Sequence, residues 1–265
     1  MSEERLLAVF AHPDDESLLA GGTLAFCRAA GVEIRLVSAT RGEMGPVAED
    51  VGVDRGSLGA VREQELRAAA AALGIESVAC LDFPDGELKW VEAPGLAERV
   101  LEMLRMWRPT ILLTFDSQGL YWHPDHIAVH EQVLRAVGCL RAGDRPSVYC
   151  ATLPDGMMAA MVAAVRQRGL PADLWGLAPE DFGVPEEQIT TTVDVRPFLA
   201  AKLRALRSHR TQLGPTNLLA AIPDDLAERY LGREYFIHAG RAGDRADRLS
   251  ALRFKSTVAP EALRR

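Results

Sequence analysis

Over its first 150 residues the chain alternates apolar runs of strand length with stretches of helical periodicity, and few architectures accommodate that pattern. The runs "RLLAVFA" (5–11), "VEIRLVSAT" (32–40), "SVACLDF" (77–83), "TILLTF" (110–115) and "SVYCATL" (147–153) read as strands. Between them, 17–31, 57–74, 96–107 and 125–138 read as helices, two of them stopped by Gly31 and Gly74. Strands joined by helices of this length form a parallel sheet with right-handed crossovers. From about residue 154 the pattern loosens. A helix is expected over 157–169, a Pro- and Gly-rich loop over 170–187, a half-buried strand over 189–195 and a helix over 197–209.

Composition narrows the function. The 265 residues carry 30 Lys and Arg against 37 Asp and Glu, a formal net charge of -7, with no basic block. A nucleic-acid partner is therefore not expected. No apolar stretch reaches membrane-spanning length, and "MSEERLLAVF" lacks the basic start of a signal peptide, so a cytoplasmic location is expected. The widely spaced Cys27, Cys80, Cys139 and Cys150 form no CxxC pair and read as buried thiols of a reducing compartment.

Ligands of open parallel sheets bind beyond the carboxyl ends of the strands. That rule selects the loops 12–17, 41–57, 83–90 and 116–124. The first reads "HPDDE" where a dinucleotide site needs G-x-G-x-x-G. Its carboxylates repel phosphate and suit a cation. His12 and Asp15, three residues apart across a turn set by Pro13, can grip one metal, with Asp14 beside them. The fourth loop, "YWHPDHIAVH", repeats the H-P-D turn and places His123, His126 and His130 on one helix face. A His/Asp pair plus one distant His makes a three-ligand site with an open position, as in catalytic zinc centres.

The pair "AHPDDE" and "HPDH" in this α/β setting resembles the zinc-dependent LmbE-like (PIG-L) de-N-acetylases, a group that includes the deacetylases of mycothiol and bacillithiol biosynthesis. The likeness is specific over residues 5 to about 138 and continues more weakly through "KLRALRSHRTQ" (202–212) and "EYF" (234–236). It implies an α/β, Rossmann-like fold, a mostly parallel sheet with helices on both faces. One domain is expected over 1–240, divided into a core 1–153 and an extension 154–240, followed by a charged, partly mobile tail 241–265.

The resemblance also implies roles. His12, Asp15 and His126 match the metal ligands, Asp14 the general base, and His123 the histidine that meets the oxyanion, with Asp125 as its partner. Tyr121 matches a tyrosine of the mycothiol branch, and Arg62, Glu43 and Asp85 match residues around the substrate. The implied reaction is hydrolysis of an N-acetyl group from an N-acetylglucosaminyl small molecule such as GlcNAc-malate or GlcNAc-inositol. GlcNAc itself, a chito-oligosaccharide or a glycosylated secondary metabolite is the alternative, and a non-catalytic sugar-binding relative a third reading. One Zn²⁺ per chain is the expected cofactor, another divalent metal the substitute. The expected partner is a small amino sugar, with neither membrane nor nucleic acid, and a homo-oligomer stays open.

The chemistry agrees with these roles. Zn²⁺ polarises an amide carbonyl and lowers the pKa of bound water toward ~7. Asp14 takes the water proton, and a His123 kept protonated by Asp125 faces the negative oxygen, a contact worth roughly 3 kcal/mol. Whether Asp14 or His123 protonates the leaving amine stays open. Glu16 is read as support for a helix start, His130 as a packed or exposed helix residue, and Gly21 and Gly22 as sites of close helix packing. His209 and Gln212 reach either the pocket or a neighbouring subunit.

Overall fold

The computed structural model describes residues 4–89, 95–220, 222–240 and 248–253. In chain order the elements are β1 (Arg5–Phe10), α1 (Asp15–Leu19), α2 (Gly21–Ala29), β2 (Glu33–Ser38), α3 (Leu58–Ala72), β3 (Ser77–Cys80), α4 (Leu96–Trp107), β4 (Ile111–Phe115), a kinked turn α5 (Gly119–Trp122), α6 (Pro124–Gly138), β5 (Ser147–Thr152), α7 (Met157–Gln167), β6 (Thr191–Asp194), α8 (Leu199–Ser208), α9 (Asp224–Leu231), β7 (Arg233–His238) and α10 (Arg248–Arg253). Short 3-10 turns fill the connections.

All seven strands join one sheet in the order β3-β2-β1-β4-β5-β7-β6. The five strands of the first 152 residues run parallel, as the alternation requires. β1 lies at their centre, with Leu6 paired to Ile34 on one side and to Ile111 on the other. A strand covered on both faces needs an unbroken apolar run. Leu6, Leu7, Ala8 and Val9 are completely buried. The strand order reverses between β1 and β4, since β2 lies on one side of β1 and β4 on the other. The loops after these two strands therefore flank the crevice where such sheets bind ligands.

The extension adds β7 and β6, each antiparallel to its neighbour. β6 falls inside the expected 189–195 strand. β7 and α9 have no counterpart in the periodicity reading, because "REYFIH" mixes charge with apolar residues and α9 is only eight residues long. α10 places Leu249 and Leu252 in the core and pairs Arg248 with Glu4 at 2.8 Å. The rest of the expected tail, 241–247 and 254–265, lies outside the described residues. Cys27 and Cys150 are buried as expected, whereas Cys80 is half-buried and Cys139, at the C-cap of α6, is exposed. No helix among the described residues is long and apolar enough to cross a membrane.

The helix expected over 17–31 is two helices broken at Ala20 (φ −139°, ψ 5°). The break follows from a carboxylate in the extension. Glu234 of β7 accepts hydrogen bonds from the backbone N–H groups of Gly22 (2.8 Å) and Thr23 (2.7 Å), which belong to the first turn of α2. Such groups have no partner within a helix, and an acidic side chain satisfies them. Lys202 of α8 closes the arrangement on Glu234 at 2.7 Å, with both side chains 1% exposed. Gly22 permits the approach: a Cβ there would lie 2.4 Å from that of Val195. Gly21 and Gly22 are expected to pack the helix closely on the sheet; the close approach is instead made to Lys202 of α8 and to Val195, which follows β6, both in the extension.

Removing one member of a buried ion pair strands the other, at about 3–5 kcal/mol. Lys202→Met is expected to lower the unfolding free energy by about that amount, read from urea midpoints at constant slope. An unchanged midpoint contradicts the clamp.

Candidate metal centre and active-site pocket

The loop after β1 starts at Ala11, and α1 begins at Asp15. Asp15 folds back to accept the backbone N–H of His12 at 2.7 Å, which brings the two side chains together as their spacing suggests. The loop after β4 reverses at Gly119 (φ +60°), where a Cβ would lie 2.9 Å from that of His126. Only glycine fits there without displacement. The reversal lets the Gly119 carbonyl accept from His126 Nδ1 at 3.2 Å.

Three basic atoms converge as a result. His126 Nε2 lies 3.2 Å from His12 Nδ1 and 3.3 Å from Asp15 Oδ1, and His12 Nδ1 lies 3.5 Å from Asp15 Oδ2. Ligand atoms at the corners of a tetrahedron with bonds of ~2.0–2.1 Å are about 3.3–3.4 Å apart, which is close to the spacing His126 Nε2 makes with His12 Nδ1 and Asp15 Oδ1, while His12 faces the other Asp15 oxygen. The outer nitrogens agree. With His126 Nδ1 bonded to a carbonyl, Nε2 presents its lone pair inward. His12 Nε2 faces Asp85 Oδ1 at 3.0 Å and Asp125 Oδ2 at 3.3 Å, which directs Nδ1 inward. Carboxylates and carbonyls behind the imidazoles are the usual support of a metal centre.

Two triads bring one ligand atom from each residue within 4.8 Å of one another, His12/His123/His126 and His12/Asp85/Asp125, and His12 is common to both. Each contains a committed member. His123 Nδ1 accepts the Asp125 backbone N–H at 3.2 Å. Asp125 accepts from the backbone N–H groups of Gly86 (2.7 Å) and Leu88 (3.0 Å), and Asp85 from that of Met44 (2.7 Å). His12, Asp15 and His126 form a further His/Asp cluster beside these groups, with His126 Nε2 within 3.3 Å of both partners.

A pocket of about 320 Å³ opens on this cluster, with His12, Asp14, Asp15, Tyr121 and His123 among its lining residues. Burial is the largest influence on every ionisable group here. It pushes Asp14 up to about 6, opposed by Arg62 and assisted by Asp15. Burial would also raise Asp15, but His126 and His12 hold it far below the usual carboxylate range. His126 is pushed down to about 3, first by burial and then by the charges of His12 and His123, against the pull of Asp15. Burial opposes a charge on His12, yet Asp125, Asp15 and Asp85 outweigh it and hold the ring protonated. A cation competes for that proton, so its uptake releases H⁺.

Residues 7–137 match the GlcNAc-PI de-N-acetylase (PIG-L) family. The chain is 34% identical over 256 residues to the 1D-myo-inositol 2-acetamido-2-deoxy-α-D-glucopyranoside deacetylase of Acidothermus cellulolyticus, covering 88% of this chain and 87% of that one. This chain belongs to the PIG-L family. Among solved structures it is similar to the N,N'-diacetylchitobiose deacetylase of Pyrococcus horikoshii (TM-score 0.58, 22% identity, 89% of this chain and 83% of that one). It is also similar to the 4-carboxy-2-hydroxymuconate hydratase of Pseudomonas putida (TM-score 0.64, 17% identity, 92% and 99%). These two likenesses show the α/β fold.

Within the family frame, several expected contacts differ. Asp125 does not hold His123 through its carboxylate. That carboxylate turns to His12 and to the 86–88 loop, because its own backbone N–H already caps His123 Nδ1. His123 is accordingly not held protonated: burial, then the charge on His12, lowers it. Arg62 lines the pocket, but its guanidinium is engaged by the carbonyls of Pro13 and Gly42 (2.6 Å each) and by Asp14 Oδ2 at 3.0 Å. It braces the first two loops. Glu43 is not among the pocket-lining residues and accepts the Asp85 backbone N–H at 3.1 Å from behind. Asp85 lines the pocket while its two oxygens are taken by His12 and Met44. Tyr121 lines the wall against Phe182, ring centroids 4.8 Å apart.

Glu16 is more than a helix-start carboxylate. It is 1% exposed, accepts from His209 Nε2 at 2.8 Å and takes the Asp14 backbone N–H at 3.0 Å. His209 and Gln212 both line the pocket of their own chain. His130 is packed, donating to the Phe115 carbonyl at 2.8 Å. The Glu16–His209 pair spans 193 positions, and no local spacing rule reveals it.

Gly119→Ala forces a Cβ against His126 and Ile127 at a positive φ. A loss of about 1–3 kcal/mol is expected from overpacking. Metal affinity should fall with it, measured by competition with a chromophoric chelator. Unchanged affinity contradicts the role given to the Gly119 carbonyl.

Proposed function

We propose that the protein is a zinc-dependent N-deacetylase that hydrolyses the acetamide of a GlcNAc-inositol conjugate. One observation carries the reading: His12 Nδ1, His126 Nε2 and the Asp15 carboxylate lie 3.2–3.5 Å from one another, at the pocket that His12, Asp15, Asp14 and His123 line. The substrate follows the deacetylases this chain resembles at 34% identity, whose name specifies an inositol-linked acetamido sugar. GlcNAc, chito-oligosaccharide or glycosylated metabolite substrates are not favoured by these relatives.

His12, Asp15 and His126 would hold the ion. When bound, it polarises the acetyl carbonyl and acidifies a water. Asp14 takes the water proton at its carboxylate. Its backbone is fixed for this by Glu16 and its carboxylate by Arg62. A carboxyl group raised to about 6 is ionised at neutral pH, yet basic enough to accept a proton and return it. His123, with Nδ1 occupied as an acceptor, carries its hydrogen on Nε2. As a neutral donor it faces the charge that develops on the acetyl oxygen. It has no second proton to give, so Asp14 also protonates the leaving amine.

Acetate release from GlcNAc-inositol, compared with GlcNAc-malate, GlcNAc and chitobiose, tests the substrate; no release from any of the four contradicts the activity. Asp14→Asn is expected to keep its metal and lose activity about 10²–10⁴-fold. A variant that retains both overturns the general-base role.

The pH dependence has a definite sign. Asp14 works as a base only when ionised, so kcat/KM falls tenfold per unit on the acid side. The midpoint lies no higher than about 6, since a cation beside Asp14 lowers it further. Arg62→Met removes a charge that stabilises the carboxylate and is expected to move this limb upward. A limb that stays in place removes Asp14 from the assignment.

A further inference from the structure

His209 forms the C-cap of α8 and is completely buried, yet its side chain belongs to the pocket wall. Its two nitrogens have different fates. Nε2 is committed to Glu16 Oε1 at 2.8 Å, with the Ser17 hydroxyl 3.4 Å away. Nδ1 is equally buried and has no hydrogen-bond partner among the described residues. Buried polar atoms are nearly always paired, so an orphan on the wall of a substrate pocket marks a missing partner.

The ring cannot rotate to satisfy Nδ1 without giving up Glu16. Glu16 is itself fixed by Ser17 and by the Asp14 backbone N–H. Burial opposes a charge on His209, but Glu16, seconded by Asp14, outweighs it and favours the protonated ring. In that form Nδ1 is a hydrogen donor without an acceptor. The neighbouring wall residues Leu206 and Leu213 offer none.

We infer that His209 is a substrate-contacting residue, its Nδ1 donating to an oxygen of the amino-sugar substrate while Glu16 holds the ring in place. The inference rests on the deacetylase reading above and adds a contact to it. An amino sugar presents hydroxyl and ether oxygens on every face, which is the chemistry this donor lacks. His209 is a binding residue in this assignment and handles no proton of the reaction. The pair would also tie substrate binding to the base, because Glu16 is shared between His209 and Asp14.

Two substitutions separate the two nitrogens. His209→Gln places an amide where Nε2 stood and can keep the Glu16 contact while losing Nδ1. His209→Asn does the reverse. Melting temperature, kcat, KM and calorimetric binding of the deacetylated amine product are measured on the zinc-loaded enzyme. His209→Gln is expected to melt close to the parent protein, with product affinity reduced and KM raised about tenfold or more. His209→Asn is expected to melt lower while keeping more of the affinity. Parental affinity and KM in His209→Gln, with both lost in His209→Asn, overturns the inference and leaves a structural role.

A measurement on the unsubstituted protein covers the case in which either variant fails to fold. With ¹⁵N-labelled histidine, the His209 Nδ1 resonance is expected to shift when product is added, and an unmoved resonance overturns the contact. The two readings fail separately. An unsubstituted enzyme that releases no acetate contradicts the deacetylase assignment, whereas an active one with an unmoved His209 resonance contradicts only the contact.

Discussion

Two imidazole nitrogens face each other across 3.2 Å, with a carboxylate against both. Electron-rich atoms do not gather in this way unless their other contacts compel them. Each loop at the carboxyl end of the parallel sheet contributes to the compulsion. The loop after β4 supplies the Gly119 carbonyl that orients His126. The loop after β3 supplies Asp85, and its Gly86 and Leu88 N–H groups fix Asp125, so that both carboxylates meet the outer nitrogen of His12. The loop after β2 holds Asp85 through the Met44 N–H. Phe115, the last residue of β4, stacks on His126 with ring centroids 4.0 Å apart. A divalent cation is the ligand that turns this crowding into attraction.

The same region stores backbone strain. Asp14, Leu120 and Trp122 adopt φ of 123°, 68° and 63°, and none is glycine. Conformations of this kind cost of order 1–3 kcal/mol each and persist only where other bonds over-determine them. At Asp14 those bonds are visible. Glu16 takes its N–H, while Arg62 takes its carboxylate together with the preceding carbonyl of Pro13. Asp14 is thus presented beside the ligands without being one of them. The gathered carboxylates of Asp14, Asp15, Asp85 and Asp125 also bias the pocket toward a positive charge, which suits metal capture before it suits a neutral sugar.

Fold class was legible in the sequence because it depends on local pattern, and the short spacing of His12 and Asp15 likewise foretold that the two side chains meet. Strand–helix alternation sets the parallel sheet, and the two H-P-D turns fall at the ends of β1 and β4, where the sheet order reverses. Three kinds of feature were not legible. One is the direction of a side chain that has two suitors: Asp125 sits two residues from His123, and spacing alone favours that pair over His12, 113 positions away. Another is support from distant segments, as with Glu16 and His209 or Glu234 and α2, where the partners are about two hundred residues apart. The third is β7, whose charged ends hide a strand whose Phe236 is completely buried. In each case local sequence sets the residue type, and tertiary packing sets its partner.

Backbone likeness does not select the reaction. The fold of this chain is similar to that of a chitobiose deacetylase and of a hydratase, with TM-scores of 0.58 and 0.64, so the fold alone names no reaction. Selection has to come from what stands next to the cation. A metal-binding triad alone activates any oxygen ligand that reaches it. Amide hydrolysis further requires a base that can take a proton at neutral pH and surrender it to an amine that needs it. Asp14, raised by burial and opposed by a single guanidinium, has the basicity that the proposed base would need. Arg62, placed by two backbone carbonyls, therefore influences the proton chemistry although its guanidinium is already committed within the protein. The specialisation of this site resides in that buried pair and in the loops it joins.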